Sequence, residues 1–410
     1  MTLLVAGLLL VLLLGAGLLW RRSRKPLVCP PQDLTQSLPP SAFTLVPSPP
    51  GDEGTPKSPK LADQPEDWRA GMAGFGRRFR ELGIDHIVFI HGTFVGNDPI
   101  SVSSTLKTLA PSIDWSARVG PLLKGTTNLV FKDHGNFTPA YVRLAEEALQ
   151  VPAHLFVWGS ENHHLSRLRG ALALIEDLQS RGPRRPLLIG HSHGGQVIAL
   201  ACQLLTECSH GPGLLEVCDA NPPGLSLPRG GVDVVTLGTP PRYGWPRHPG
   251  VRPLHIVNHR GSGAEAGHWS GVLTTQDGDY VQQWGIEGSD TPSPSAPDRA
   301  LNRALDRLLG PGHDPARWRE ALSHRRRVHD GGHTLLVDYG DRGRAPNLFR
   351  TNLGHATYTR QREMFRLFAL VEPRLMPSAS LTLRGLRLTL PRPHFSGPPA
   401  PRVLHRCPKA

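Results

Sequence analysis

Gly190-His191-Ser192-His193-Gly194 is where side-chain types and spacing first point to chemistry. It fits G-x-S-x-G, the pattern that seats a serine nucleophile in a tight turn between a strand and a helix. The flanks agree with that placement. The apolar run Leu187-Leu-Ile189 precedes it, and Gln196-Val-Ile-Ala-Leu-Ala-Cys-Gln-Leu-Leu205 follows it. Small residues two positions either side of Ser192 leave room for such a turn. A helix starting there aims backbone N–H groups and the positive end of its dipole at a developing oxyanion. His91-Gly92-Thr93-Phe94 is the second such segment. A glycine turn after a strand can present another N–H to the same oxyanion, with Thr93 the expected donor and Phe94 the alternative. The first donor would be the backbone of His193. A serine attacking at neutral pH needs a base, and histidine is the natural one.

These residues need elements to carry them. Short apolar runs at 86–91, 154–158, 186–190, 232–237, 254–258 and 334–338 read as buried strands. Helical patterns at 138–149, 165–180, 195–207, 298–309 and 358–371 fall between or after them. Alternation of this kind implies an α/β fold, a mostly parallel sheet with helices on both faces. Ligands then meet the chain at the carboxyl ends of the strands. Both motifs lie just after a strand, as that rule requires.

With HGTF at 91–94, GHSHGG at 190–195, VTLGTP at 235–240 and LGHATYTR at 353–360, the chain resembles the α/β-hydrolase family, its lipase- and esterase-like members especially. The resemblance covers roughly residues 84–371. It implies a serine hydrolase whose nucleophile, acid and histidine follow one another in that order. His355 sits in a glycine-containing loop after the last expected strand and before the last helix, where the family keeps its catalytic histidine. His333 precedes its strand, at the wrong end of the sheet, and His191 and His193 flank the nucleophile. The acid is less plain. Lipase-like members often place it after the strand at 254–258, but His259-Arg-Gly-Ser-Gly-Ala-Glu265 holds no aspartate. Residues 280–290 read as a strand ending in a Gly-Ser-Asp turn, which makes Asp290 the expected acid. Asp277, Asp279, Asp338 and Glu265 stay open beside it. His163 and His164, at the end of the second strand, read as either a wall of the same crevice or a plain structural loop. Adjacent histidines on a strand end point apart, so a metal site is not expected, and the chemistry needs no cofactor. Trp245, Trp269 and Trp284 read as either core or a cover over Ser192.

The rest of the chain is organised around that domain. Leu3 to Trp20 are eighteen uncharged, mostly leucine positions, followed by Arg21, Arg22, Arg24 and Lys25. Such a run spans ~27 Å as a helix, close to a bilayer core. Charges after the run, with no A-x-A site, favour an uncleaved anchor over a signal peptide. The positive-inside rule then puts the domain on the cytoplasmic side. The expected organisation is an anchor over 1–25, a Pro-rich tether over 26–66, the catalytic domain over 67–376 and a basic, Pro-rich tail over 377–410. Gly and Pro, at 44 and 41 of 410 residues, are in excess, which fits a chain with linker and tail segments. The net charge of +12 suits an anionic membrane surface. Nucleic acid is not expected, for no zinc-finger spacing, RNP-like motif or aromatic stripe is present. Five cysteines, an odd number without a C-x-x-C, argue against a disulfide framework. The reading is a membrane-anchored serine hydrolase acting on acyl-ester or lipid substrates. Competing with it are an acyltransferase or amidase on the same site, and an inactive membrane-tethered scaffold.

Overall fold

The computed structural model describes residues 29–48, 58–92, 137–206, 211–220, 224–267, 275–293, 295–340 and 353–375. The apolar run at 3–20, Thr93, Phe94, Trp269 and the tail at 377–410 lie outside these residues. Among the described residues no helix is long and apolar enough to cross a membrane.

Seven strands make one sheet: β1 (Phe43–Val46), β2 (His86–Ile90), β3 (Ala153–Phe156), β4 (Pro186–His191), β5 (Val232–Leu237), β6 (Val251–Asn258) and β7 (His333–Val337). Their spatial order is β1-β7-β6-β5-β4-β2-β3. Every pairing is parallel. Parallel strands are covered on both faces and therefore read as unbroken apolar runs. β4 and β5, at the middle of the sheet, are buried at every position.

Side-chain alternation divides each strand between two cores. Ile87, Phe89, Leu187, Ile189, Val235 and Leu237 face one side. They pack there with α1 (Glu66–Glu81), α2 (Pro139–Leu149) and α9 (Met364–Leu375). Val88, Ile90, Leu188, Val232 and Val234 face the other. That side is covered by α3 (His164–Arg181), α4 (His193–Leu205), α5 (Gly211–Val217) and α7 (Ala296–Leu309). Two further helices, α6 (Tyr280–Trp284) and α8 (Pro315–Ser323), share a small core with Leu34 and Leu353.

Two expectations need correction. Residues 280–290 do not form a strand. Asp279 caps the short helix α6 by accepting the Gln282 N–H at 2.9 Å, so the chain turns helical at Tyr280. Nor is 26–66 only a tether. Phe43–Val46 extend the sheet as its edge strand beside β7, in the register Phe43↔Thr334 to Val46↔Val337. Upstream, Gln32 is fastened to the domain by four hydrogen bonds. Its N–H donates to the Arg242 carbonyl (3.0 Å), and its side chain meets the Tyr243 carbonyl, His329 Nδ1 and the Asp330 N–H. Cys29 and Leu34 are buried. The sequence signal for β1 is weak because the strand is four residues long, half-buried and set among prolines.

Candidate active site

β4 ends at His191 and α4 begins at His193, which leaves Ser192 alone to make the turn. Its backbone sits at φ 54°, ψ −128°. A non-glycine residue at positive φ is uncommon, and such strain is held only where the surroundings impose it. The surroundings are tight. A side chain at 194 would lie 2.6 Å from the carbonyl oxygens of Ile90 and His91, and one at 190 would lie 2.7 Å from the Gly195 nitrogen. The turn is tied down by the Ser192 N–H donating to the Leu237 carbonyl at 2.9 Å. Thr239 Oγ1 donates to the Ser192 carbonyl at 2.8 Å. His193 opens the first turn of α4, where backbone N–H groups are directed out of the helix end.

The turn after β2 lies against Ser192. A Cβ built on Gly92 would sit 2.7 Å from the Ser192 Cβ. His91, which precedes it, is committed to structure. Its Nδ1–H donates to the Gly92 carbonyl at 2.7 Å, and its Nε2 accepts the Trp158 N–H at 3.1 Å. Gly92 is the last described residue of that turn.

His355 and Asp279 are brought together by two backbone segments crossing at close range. Gly278 and Gly354 both have positive φ, and a Cβ on Gly354 would lie 2.1 Å from the Gly278 carbonyl oxygen. At that crossing the His355 Nδ1–H donates to Asp279 Oδ2 at 2.7 Å. Both side chains are fully buried. The Tyr358 hydroxyl also donates to Asp279 Oδ2 at 2.7 Å, while accepting the Asn258 N–H at 2.7 Å. Arg327 Nη1 donates to the Asp279 carbonyl oxygen. Burial pushes the Asp279 carboxyl up. The His355 imidazole, the Gln282 N–H and Arg327 more than offset that, so it is held below its ordinary range. With the proton of a neutral imidazole on Nδ1, the Nε2 lone pair is left over for base chemistry. His355 Nε2 and Ser192 Oγ are both buried, and neither has a hydrogen-bond partner among the described residues. The His355 ring lies 4.5 Å from that of His191, the residue next to the serine.

Asp290, the acid expected from sequence, is not brought to His355. Its carboxylate is gripped by two buried arginines, Arg167 Nη2 at 2.6 and 2.8 Å and Arg242 at 2.6 and 3.0 Å. Burial would raise its pKa, but Arg167, Arg242 and His164 together hold it well below the ordinary carboxylate range. Three more carboxylates of this part of the chain are engaged away from His355. Asp277 accepts the Tyr280 hydroxyl at 2.8 Å, Asp338 faces Arg260 at 3.4 Å and Glu265 faces Arg325 at 2.9 Å. Asp279 follows β6, the strand after which lipase-like chains carry their acid. It is reached only after the excursion 259–278. The sequence signal for it is Asp279-Tyr-Val-Gln282, a carboxylate three residues before a glutamine, which is a helix-start pattern.

The histidine pair after β3 has structural work. His163 caps α3 by accepting the Ser166 N–H at 3.2 Å. His164 is fully buried between the Tyr243 hydroxyl (2.7 Å) and the Gly310 carbonyl (3.0 Å). Trp245 and Trp284 are core residues. Among the described residues no group of three or more His, Cys, Asp or Glu side chains is placed to hold a metal ion. Comparison of the chain with family models, curated proteins and solved structures finds no match.

Proposed function

We propose that this chain is a membrane-anchored serine hydrolase of the α/β-hydrolase type that cleaves carboxylic esters, lipid esters included. Ser192 Oγ attacks the acyl carbonyl while His355 Nε2 takes its proton. Asp279 holds the imidazole in the tautomer that leaves Nε2 free, and stabilises the imidazolium that forms. The backbone N–H groups of His193 and Thr93 receive the oxyanion. Collapse of the tetrahedral intermediate expels the alcohol, which takes the proton back from His355. Water, deprotonated by His355, then releases the acid and restores the Ser192 hydroxyl.

The observation that carries this reading is the His355–Asp279 bond, made by two loops at the carboxyl end of the sheet that also holds the strained Ser192. The chemistry could also end in transfer to another alcohol or begin from an amide. Dependence of product on an added acceptor separates transfer from hydrolysis. Full burial of Ser192 and His355 favours a second reading, a tethered scaffold that keeps the fold without turnover.

Covalent labelling by a fluorophosphonate probe decides between them. The wild type is expected to label, and Ser192→Ala and His355→Ala are expected not to. A folded wild-type chain that stays unlabelled overturns the hydrolase reading and leaves the scaffold.

A further inference from the structure

At the opposite end of the sheet from Ser192, the turns that lead into β2, β3, β4 and β5 enclose a cleft of about 620 Å³. β4 alone separates the two ends by ~20 Å, six residues of extended chain. Four arginines line the cleft, Arg80, Arg184, Arg185 and Arg229, and Asp85 is its one carboxylate.

The charges in this cleft are unevenly matched. Asp85 is occupied by backbone, accepting the N–H groups of Arg184 (2.8 Å) and Arg185 (3.1 Å). Arg185 turns inward to Asp233 at 2.7 Å, and Asp233 is shared with Arg252 at 2.6 Å. Arg80 Nη1 donates to the carbonyls of Leu149 (3.1 Å) and Gln150 (2.7 Å), neutral acceptors that fix its direction and leave its charge. Arg184 and Arg229 are exposed, and neither makes an ion pair among the described residues. The turn that carries Arg229 is held to that of Arg184 by the Gly230 N–H, which donates to the Arg184 carbonyl at 2.7 Å. Leu82, Val151 and Pro152 add apolar wall.

We infer that this cleft binds a ligand carrying two or more phosphate groups, either free in solution or as the headgroup of a membrane lipid. Guanidinium groups match phosphate oxygens through paired N–H donors, and Arg80, Arg184 and Arg229 set against the single Asp85 carboxylate leave an excess of two positive charges, which favours more than a single negative charge. The volume falls in the range of small-molecule sites and exceeds what one phosphate fills. The apolar wall suits the ring or chain that joins the phosphates. This inference is independent of the chemistry at Ser192.

The test uses the whole chain in neutral detergent, with inorganic pyrophosphate and a short-chain, water-soluble phosphoinositide bisphosphate as probes and a single-stranded RNA as the competing ligand. Saturable binding is expected for the wild type, weakening as salt is added. Arg184→Ala/Arg229→Ala should lose roughly ten- to a hundredfold in affinity. Arg319→Ala, which removes an exposed arginine on α8, should lose none. Tighter binding of the phosphoinositide assigns a lipid source, and equal or tighter binding of pyrophosphate a soluble one. Both positions are exposed, and an unchanged thermal midpoint shows that the variants are folded. The inference is overturned if neither probe saturates the wild type, or if Arg319→Ala costs as much as the double variant. It is also overturned if only a single-stranded RNA binds and the double variant loses it.

Discussion

At Asp279 the carboxylate divides its lone pairs among the His355 ring, the Tyr358 hydroxyl and the Gln282 amide. Asp290 gives all of its own to two guanidinium groups. The same type of side chain thus orients an imidazole in one place and neutralises buried charge in the other, and the two roles separate on mutation. Asp279→Asn keeps the shape but offers an N–H where the imidazole needs an acceptor. Its fluorophosphonate labelling rate should fall roughly 10³- to 10⁴-fold with the fold intact. Asp290→Ala leaves Arg167 and Arg242 buried without a counter-charge. It should cost about 3–5 kcal/mol of stability in denaturant unfolding. An Asp290→Asn variant that lost labelling while staying as stable as wild type would reverse the assignment. The sequence points to Ser192 and His355 because each depends on a local pattern, a turn between strand and helix for one and a glycine loop for the other. Choosing Asp279 over its neighbours depends on which loop crosses which, and twenty residues of excursion after β6 hide that crossing.

The central strands are legible in the sequence, since a strand buried on both faces is apolar at most positions, and so are α2, α3, α4 and α7, whereas α1, α5 and α8 are not read from it and α9 begins six residues later than expected. β4 and β5 differ from their expected spans by at most one residue at an end. β1 is not legible. An edge strand keeps one side open and needs no such run, so Phe43-Thr-Leu-Val46 looks like part of a proline-rich leader. Its contribution is measurable. A chain lacking the residues up to Val46 loses the β1–β7 ladder, the Gln32 fastening and the buried Cys29 and Leu34 side chains. Its stability should fall by roughly 3 kcal/mol or more. An unchanged thermal midpoint would show that the segment lies on the domain without supporting it.

Taken as a whole, the described part of the molecule buries several histidines that its interior keeps neutral. Burial pushes His329 down to about 3 and His259 to about 4. It holds His164, His191, His193 and His255 well below their usual 6.5. The His255 and His329 rings stack at 3.9 Å in the same interior, so a charge on one would face the other. Below pH 6.5 the unfolded chain takes up protons that the folded chain refuses. Stability from these groups is therefore complete above that pH and drains as pH falls toward the folded values. Each histidine adds about 1.4 kcal/mol per pH unit within its window. Asp279 acts in the same direction at lower pH, because its depressed carboxyl loses its partner's benefit on protonation. Urea midpoints should hold steady near pH 7–8 and drop steeply from pH 6 to 4. A midpoint that is flat or rising over that interval would contradict the neutral, buried state of these rings.

The fastening of Gln32 and the sheet pairing of Phe43–Val46 also set the length of the leash. A free segment over 26–66 would let the domain wander ~35 Å from its anchor, the root-mean-square span of about forty flexible residues. With Cys29 already buried in the domain, three residues separate it from Lys25. Their contour is ~10 Å at full stretch. On the proposed anchoring, the domain therefore patrols the lipid surface itself and has almost no reach into the surrounding solution. Substrates dissolved in the bilayer would be met at high local concentration, and water-borne ones only when they come to the membrane.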